Sequence, residues 1–115
     1  MAQQIIKRGE IYWADLGSRN GHETQDVHPV IIISNDKQNT YSPLVIIIPI
    51  TSKIDKIYPF EVPIKLDENS KVLTDKIAAL DKKRIGDKIG NSSEKIVGEV
   101  VKALHSVLDF PCFKK

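Results

Sequence analysis

The apolar positions of the chain fall into three patterns. Residues 30–33 (Val-Ile-Ile-Ile) and 44–50 (Leu-Val-Ile-Ile-Ile-Pro-Ile) are continuous and rich in β-branched side chains, as in strands covered on both faces. Shorter β-prone segments surround them. Residues 11–16 lie between Gly9 and Gly17, and residues 60–64 alternate in strand fashion around Pro59 and Pro63. Proline cannot donate to a ladder, so the second of these is predicted to be short or at a sheet edge. Residues 72–80 and 84–89 are weaker strand candidates, with Ala78 and Ala79 leaving a helical alternative open in the first. The third pattern is helical: Val97, Val100, Val101, Leu104 and Leu108 recur on one face, widened by Ile96, Ala103 and Val107. Asn91 and Ser92 offer an N-cap, Glu94 puts negative charge in the first turn, and Pro111 is the expected stop.

Polar spacers separate these segments. Residues 18–26 form a polar loop of about nine residues, too long for a tight hairpin and so a candidate functional loop. Residues 35–43 are dense in turn formers and are expected to connect two strands, residues 52–59 form another loop, and residues 67–70 a turn. Six or seven short strands followed by one amphipathic helix predict an α+β, mostly β domain: a small barrel or rolled sheet with the C-terminal helix packed on it. We expect a single domain over residues 1–110 and a short tail over 111–115, with no internal repeat.

Composition narrows the function classes. In 115 residues, 41% are hydrophobic and 28% charged, an ordinary globular balance. Cys112 is the only cysteine, which excludes an intramolecular disulfide and suits a reducing cytoplasm. The first residues carry no apolar signal core, and the longest apolar run is far short of the roughly 20 residues of a membrane helix. The expectation is a cytoplasmic protein with no membrane contact. A net charge of +2 does not by itself announce a nucleic-acid partner, although Lys82-Lys83-Arg84 is a basic trio and Lys53 and Lys56 flank a loop.

No pair among His22, His28, His105 and Cys112 has zinc-site spacing, and no phosphate loop, serine elbow or nucleotide fingerprint is present, so neither metal nor cofactor is expected. His28 stands against Pro29 at a loop-to-strand junction, where it is either a polar strand end or a functional group. Thr51 ends the second long strand, where its hydroxyl either ties off a turn or faces a ligand. Glu23 is, by its residue type alone, a solvated loop carboxylate.

Ordered motifs along nearly the whole chain resemble the MazF/PemK family of toxin endoribonucleases. Lys7-Arg8-Gly9-Glu10-Ile11-Tyr12-Trp13-Ala14-Asp15-Leu16 is similar to the family's K-R-G-[DE]-[IV]-[YW]-x-x-[DN]-[LF]. Gly21-His22-Glu23, followed after four intervening residues by His28-Pro29-Val30, resembles G-[SH]-E-x-x-x-x-R-P-[VA]. Ser34-Asn35-Asp36, with Asn39 and Ser42-Pro43, resembles the next loop. Pro49-Ile50-Thr51-Ser52 resembles the following strand end, Tyr58-Pro59-Phe60-Glu61-Val62 recurs in some members, and Leu80-Asp81-Lys82-Lys83-Arg84-Ile85 is similar to I-D-K-x-R-[IL].

This resemblance implies an SH3-like (MazF/PemK-type) β-barrel with a C-terminal helix. It also implies a homodimer with single-stranded RNA in a groove at its interface, and a cognate antitoxin whose disordered C-terminal segment occupies that groove. The implied reaction is metal-independent, sequence-specific mRNA cleavage by 2′-OH attack, leaving a 2′,3′-cyclic phosphate and a 5′-OH. In the family an arginine and a threonine carry the chemistry with a loop glutamate nearby, which places His28, Thr51 and Glu23 at the catalytic positions; Lys53, Lys56 and Tyr58 are expected RNA contacts by charge and stacking, with Asn35, Asp75 and Lys76. Two departures are visible: the family arginine before proline is His28, and an acidic–glutamine pair is Asp75-Lys76, which would alter base selection.

Arginine offers a permanent forked cation to a phosphate, whereas an imidazole with an unperturbed pKa near 6.5 exchanges protons. His28 therefore implies either acid–base catalysis or a weakened site that retains RNA or antitoxin binding. A different class of reading is an SH3-like module that binds a protein partner.

Overall fold

The two β-branched runs lie at the centre of a seven-stranded antiparallel sheet. The computed structural model describes residues 5–17 and 26–109. In chain order these hold β1 (Glu10–Asp15), β2 (Val27–Ile32), α1 (Asp36–Tyr41), β3 (Leu44–Thr51), β4 (Val62–Lys65), β5 (Asn69–Val72), β6 (Ala78–Asp81), β7 (Ile85–Asn91) and α2 (Glu94–Leu108). The path is β4-β5-β3-β2-β1-β7, with β6 also on β3. β3 is the hub, because one of its edges pairs β6 through Leu44 to Ile47 and β5 at Ile50 and Thr51. The proline-bearing β4 is an edge strand, as its residues require.

Side chains alternate between faces along a strand, so continuous apolar runs need cover on both sides. One face carries Ile31, Ile48, Ile50 and Val72 under Val100 and Leu104 of α2, and the other carries Val30, Ile32, Val45 and Ile47 with Tyr12 and Leu80. Truncation of a fully buried isoleucine removes contacts that the packed sheet cannot rebuild. Ile48→Ala is expected to cost about 2–5 kcal/mol, read from urea midpoints; a loss below about 0.5 kcal/mol, typical of surface changes, would contradict this core assignment.

Four local expectations are corrected. Residues 35–43 are not only turn: the Asn35 side chain accepts from Gln38 N at 2.8 Å and starts α1. Residues 72–80 are not continuous strand, since a 3-10 turn at Thr74–Lys76 separates β5 from β6. Thr74 is fully buried there and its hydroxyl donates to the Phe60 carbonyl, while residues 78–81 are strand rather than helix. Asn69 and Ser70 belong to β5 rather than to a turn. The cap of α2 is Ser93, whose Oγ accepts from Ile96 N at 3.2 Å, because Asn91 ends β7 and Ser92 N is committed to Gly9 O at 2.7 Å.

The buried stripe of α2 is narrower than its periodicity suggests. Val100 and Leu104 are buried, but Val101 and Leu108 are 39% and 46% exposed. Pro111 lies outside the described residues, and the helix ends at Leu108 before Asp109 in the left-handed region. No described helix is long and apolar enough to cross a membrane.

The sequence around Gly9 has a structural reason. Gly9 has φ +88°, donates its N–H to Ile32 O and accepts from Ser92 N, both at 2.7 Å. A Cβ there would stand 3.2 Å from Val97. Arg8 N adds a bond to Asp36 Oδ1 at 2.9 Å, so this turn joins β2, α1 and the approach to α2. Glu10 accepts from Lys7 N, the Tyr12 hydroxyl and Lys88 Nζ, each at 2.7 Å. Burial works against its charge, but those bonds and the Lys88 charge hold its carboxyl below the ordinary value.

Candidate functional site

The two sequence-selected side chains meet at one groove. The β2–β3 ladder ends at Val30 and Pro49, and His28 and Thr51 lie two residues beyond it, one on each strand. Thr51 pairs with Lys71 of β5. His28, Thr51 and Lys71 all line one groove of about 600 Å³. Pro49 and Leu80 contribute to its floor, Ala78 and Ala79 leave it open, and Lys53 and Lys76 bring cations to it.

The His28 side chain is 43% exposed, and its Nε2 lies 2.5 Å from Asp26 Oδ1. With Asp26 ionised, Nε2 is the donor in this contact, and in the neutral ring that places the lone pair on Nδ1. Thr51 Oγ1 accepts from Lys53 N at 3.2 Å. That bond uses an oxygen lone pair and leaves the hydroxyl hydrogen to donate elsewhere.

Beside the groove, the loop between β3 and β4 carries an aromatic stack. The Tyr58 and Phe60 rings are 5.4 Å apart and 6° from parallel, and Lys56 Nζ sits 4.8 Å from the Tyr58 centroid. Under this loop, Lys71 Nζ donates to Glu61 Oε1 at 2.8 Å and to Lys56 O at 2.6 Å. Burial pushes the Glu61 carboxyl up. The hydrogen bonds from Lys71 and Tyr58 N and the charges of Lys71 and Lys76 outweigh it, so its pKa lies below the ordinary 4.5.

The remaining candidates spread out. Lys53 and Lys76 line the groove, whereas Lys56 and Tyr58 lie in the adjoining loop. Asp75 is exposed in the 3-10 turn, and Asn35 spends its side-chain oxygen on the start of α1. Glu23 and Cys112 fall outside the described residues. Among the described residues, no three of His, Cys, Asp and Glu group as metal ligands would. Sequence reasoning passed over Asp26, Lys71 and Glu61. The available signals were Asp26 two residues before His28, and a lysine beside Val72 in a strand facing the Tyr58–Val62 segment.

A profile described as the PemK-like, MazF-like toxin of type II toxin-antitoxin systems matches residues 7–108. The chain belongs to this family. The MazF-type fold expected from the motifs holds as well. A MazF crystal structure from Deinococcus radiodurans superposes with a TM-score of 0.78 at 26% identity, covering 94% of this chain and 100% of that one. A MazE-MazF structure from the same organism gives 0.80 at 26% identity over 95% and 100%. An endoribonuclease from a mycobacterial species, in complex with its cognate antitoxin, shares the fold with a TM-score of 0.76 at 24% identity over 96% and 99%. In this PemK/MazF-type chain, the position before the β2 proline is a histidine engaged by a carboxylate.

Proposed function

We propose that the protein is an endoribonuclease toxin that cleaves single-stranded RNA in the groove containing His28 and Thr51. The supporting observation is an imidazole and a hydroxyl lining one open groove together with lysines, in a chain of the PemK/MazF family. His28 Nδ1 takes the proton of the ribose 2′-OH, and Asp26 holds the ring and balances the imidazolium that forms. The 2′-oxygen bonds to phosphorus, the bond to the 5′-oxygen breaks, and that oxygen takes a proton from solvent. The products carry a 2′,3′-cyclic phosphate and a 5′-OH. Thr51 donates to a phosphate oxygen, and Lys53 and Lys76 supply positive charge where it gathers.

The base, the phosphate donor and the positive charge are side chains and solvent protonates the leaving oxygen, so the proposed chemistry needs no metal. Glu23 completes the catalytic set by family resemblance. Lys56, Tyr58, Asp75 and Asn35 are proposed as more distant RNA contacts, through charge, stacking and hydrogen bonding. The proposed assembly is a cytoplasmic homodimer, inhibited by an antitoxin whose disordered C-terminal segment occupies the same groove. The mycobacterial relative complexed with its antitoxin and the MazE-MazF structures support that partner.

Thr51→Ala tests the site. Loss of one hydrogen bond to a charged phosphate is worth about 1.5–3 kcal/mol, so kcat is expected to fall about 10–100-fold with folding intact. Unchanged cleavage would remove Thr51 from the mechanism. Asp26 is proposed to position the ring, so Asp26→Asn should lower kcat less than loss of His28 does and leave RNA affinity unchanged. Equal losses in the two variants would reject that role.

A further inference from the structure

Lys71 lines the groove with His28 and Thr51, yet its ammonium is committed to Lys56 O and Glu61. Its side chain is 9% exposed and that of Glu61 is 5%, and among the described residues these two are the only charged ones in the buried class. Burying a lysine is costly unless the charge is paired and its donors are used. Both conditions are met here, and both partners come from one segment. Nζ donates to the carbonyl of Lys56 and the carboxylate of Glu61, and the same carboxylate oxygen accepts from Tyr58 N at 2.9 Å. Glu61 N donates back to Tyr58 O at 2.9 Å. Residues 52–61 contain no strand or helix, so these bonds and the Thr74 hydroxyl on Phe60 O fix the path of the segment.

We infer that Lys71 is a positioning residue for RNA, a clamp that holds the 56–61 segment as a stacking wall beside the catalytic groove. This inference rests on the proposed RNA cleavage. The clamped segment carries the Tyr58–Phe60 stack, with Tyr58 43% exposed and the Lys56 ammonium over its ring. That pairing of an aromatic surface and a cation suits a nucleobase with its adjoining phosphate, read without sequence preference. Lys71 lines the groove as well as gripping the segment, so it fixes the distance between the stacked base and the phosphate at Thr51. Its own charge is neutralised by Glu61 and is not aimed at that phosphate.

The test uses the full chain and a variant that leaves no unpaired buried charge, Lys71→Met/Glu61→Gln. Affinity is measured with a single-stranded RNA carrying 2′-O-methyl groups to block cleavage, and kcat with the same sequence unmodified. Release of one stacked base is expected to raise Kd about 10-fold, and kcat at saturating RNA should fall by less than Kd rises, because His28 and Thr51 themselves are unchanged. Amide exchange across residues 56–61 should accelerate. Adding Tyr58→Ala to the released variant should weaken binding much less than it does in the wild type, since coupled residues are not additive.

Unchanged exchange, unchanged Kd or full additivity with Tyr58→Ala would each overturn the clamp. A purely structural ion pair would lower thermal stability and leave Kd unmoved. A wild-type protein that fails to bind the RNA would overturn the proposed function, and the exchange measurement would still decide whether Lys71 holds the segment.

Discussion

Replacement of His28 by Ala is expected to lower RNA cleavage by about 10²–10⁴-fold, the usual contribution of a positioned proton-transfer group. RNA affinity should change little, because the cations of the groove and the stack beside it remain. Wild-type kcat should also depend on pH, as transfer of a proton to a side-chain base requires. That dependence separates proton transfer from simple phosphate binding, which an always-charged arginine performs without titrating. His28→Arg puts a permanent cation next to Pro29 but has no group to accept the 2′-OH proton, so its residual rate should be low and independent of pH. An Arg variant faster than the wild type would instead mean that His28 is a weak replacement for a phosphate-binding arginine. The short contact with Asp26 favours the proton-transfer reading, because a carboxylate on Nε2 fixes which nitrogen can act as base.

The second large effect concerns stability. Lys71→Met strands the Glu61 carboxylate in a site where it keeps the Tyr58 N–H bond and the charge of Lys76, and loss of one partner of a buried pair costs about 3–5 kcal/mol. Lys71→Met/Glu61→Gln should cost clearly less, since no buried charge is left without a partner. Urea unfolding of both variants checks this; equal losses would mean that the pair contributes through packing alone.

The same pair sets part of the acid limit. The Glu61 pKa in the folded protein lies below its ordinary 4.5, so the unfolded chain binds the proton first. Its stabilisation is complete above about that pH and is lost as pH falls through the folded-state value. Glu10 acts with the same sign through its bonds to Lys88, Tyr12 and Lys7. Glu61→Gln should flatten the fall in stability below pH 4.5 and leave Glu10's part in place.

The sheet was legible because its central residues have few alternatives. Val30 to Ile33 and Leu44 to Ile50 can be covered only in the middle of a sheet, and the apolar stripe of α2 marks its packed face. The motif from Lys7 to Leu16 was legible as resemblance, and the structure supplies its reason in the glycine turn at Gly9. The helix α1 was hidden because the residues that favour turns also cap helices, and Asn35 does the latter. The break between β5 and β6 was hidden because Thr74 is a good strand residue until its hydroxyl is needed by Phe60 O.

For the candidate site, periodicity selected His28 and Thr51 only as strand ends, and family resemblance raised them above that. What sequence did not reveal was which other side chains meet these two at the groove. Lys71 reads as a solvated charge on a short strand, and only the β4–β5 hairpin brings it to Glu61. Asp26 reads as one more polar loop residue, and only the entry of β2 turns its carboxylate onto the imidazole.

The most direct test of the proposed chemistry is the mapping of RNA ends. A long single-stranded RNA is incubated with the purified protein in EDTA, and the termini of the fragments are identified. The expected result is a set of discrete cuts, each with a 2′,3′-cyclic phosphate and a 5′-OH, that disappear with His28→Ala. Fragments ending in 3′-OH and 5′-phosphate, or cuts undiminished by His28→Ala, would contradict it.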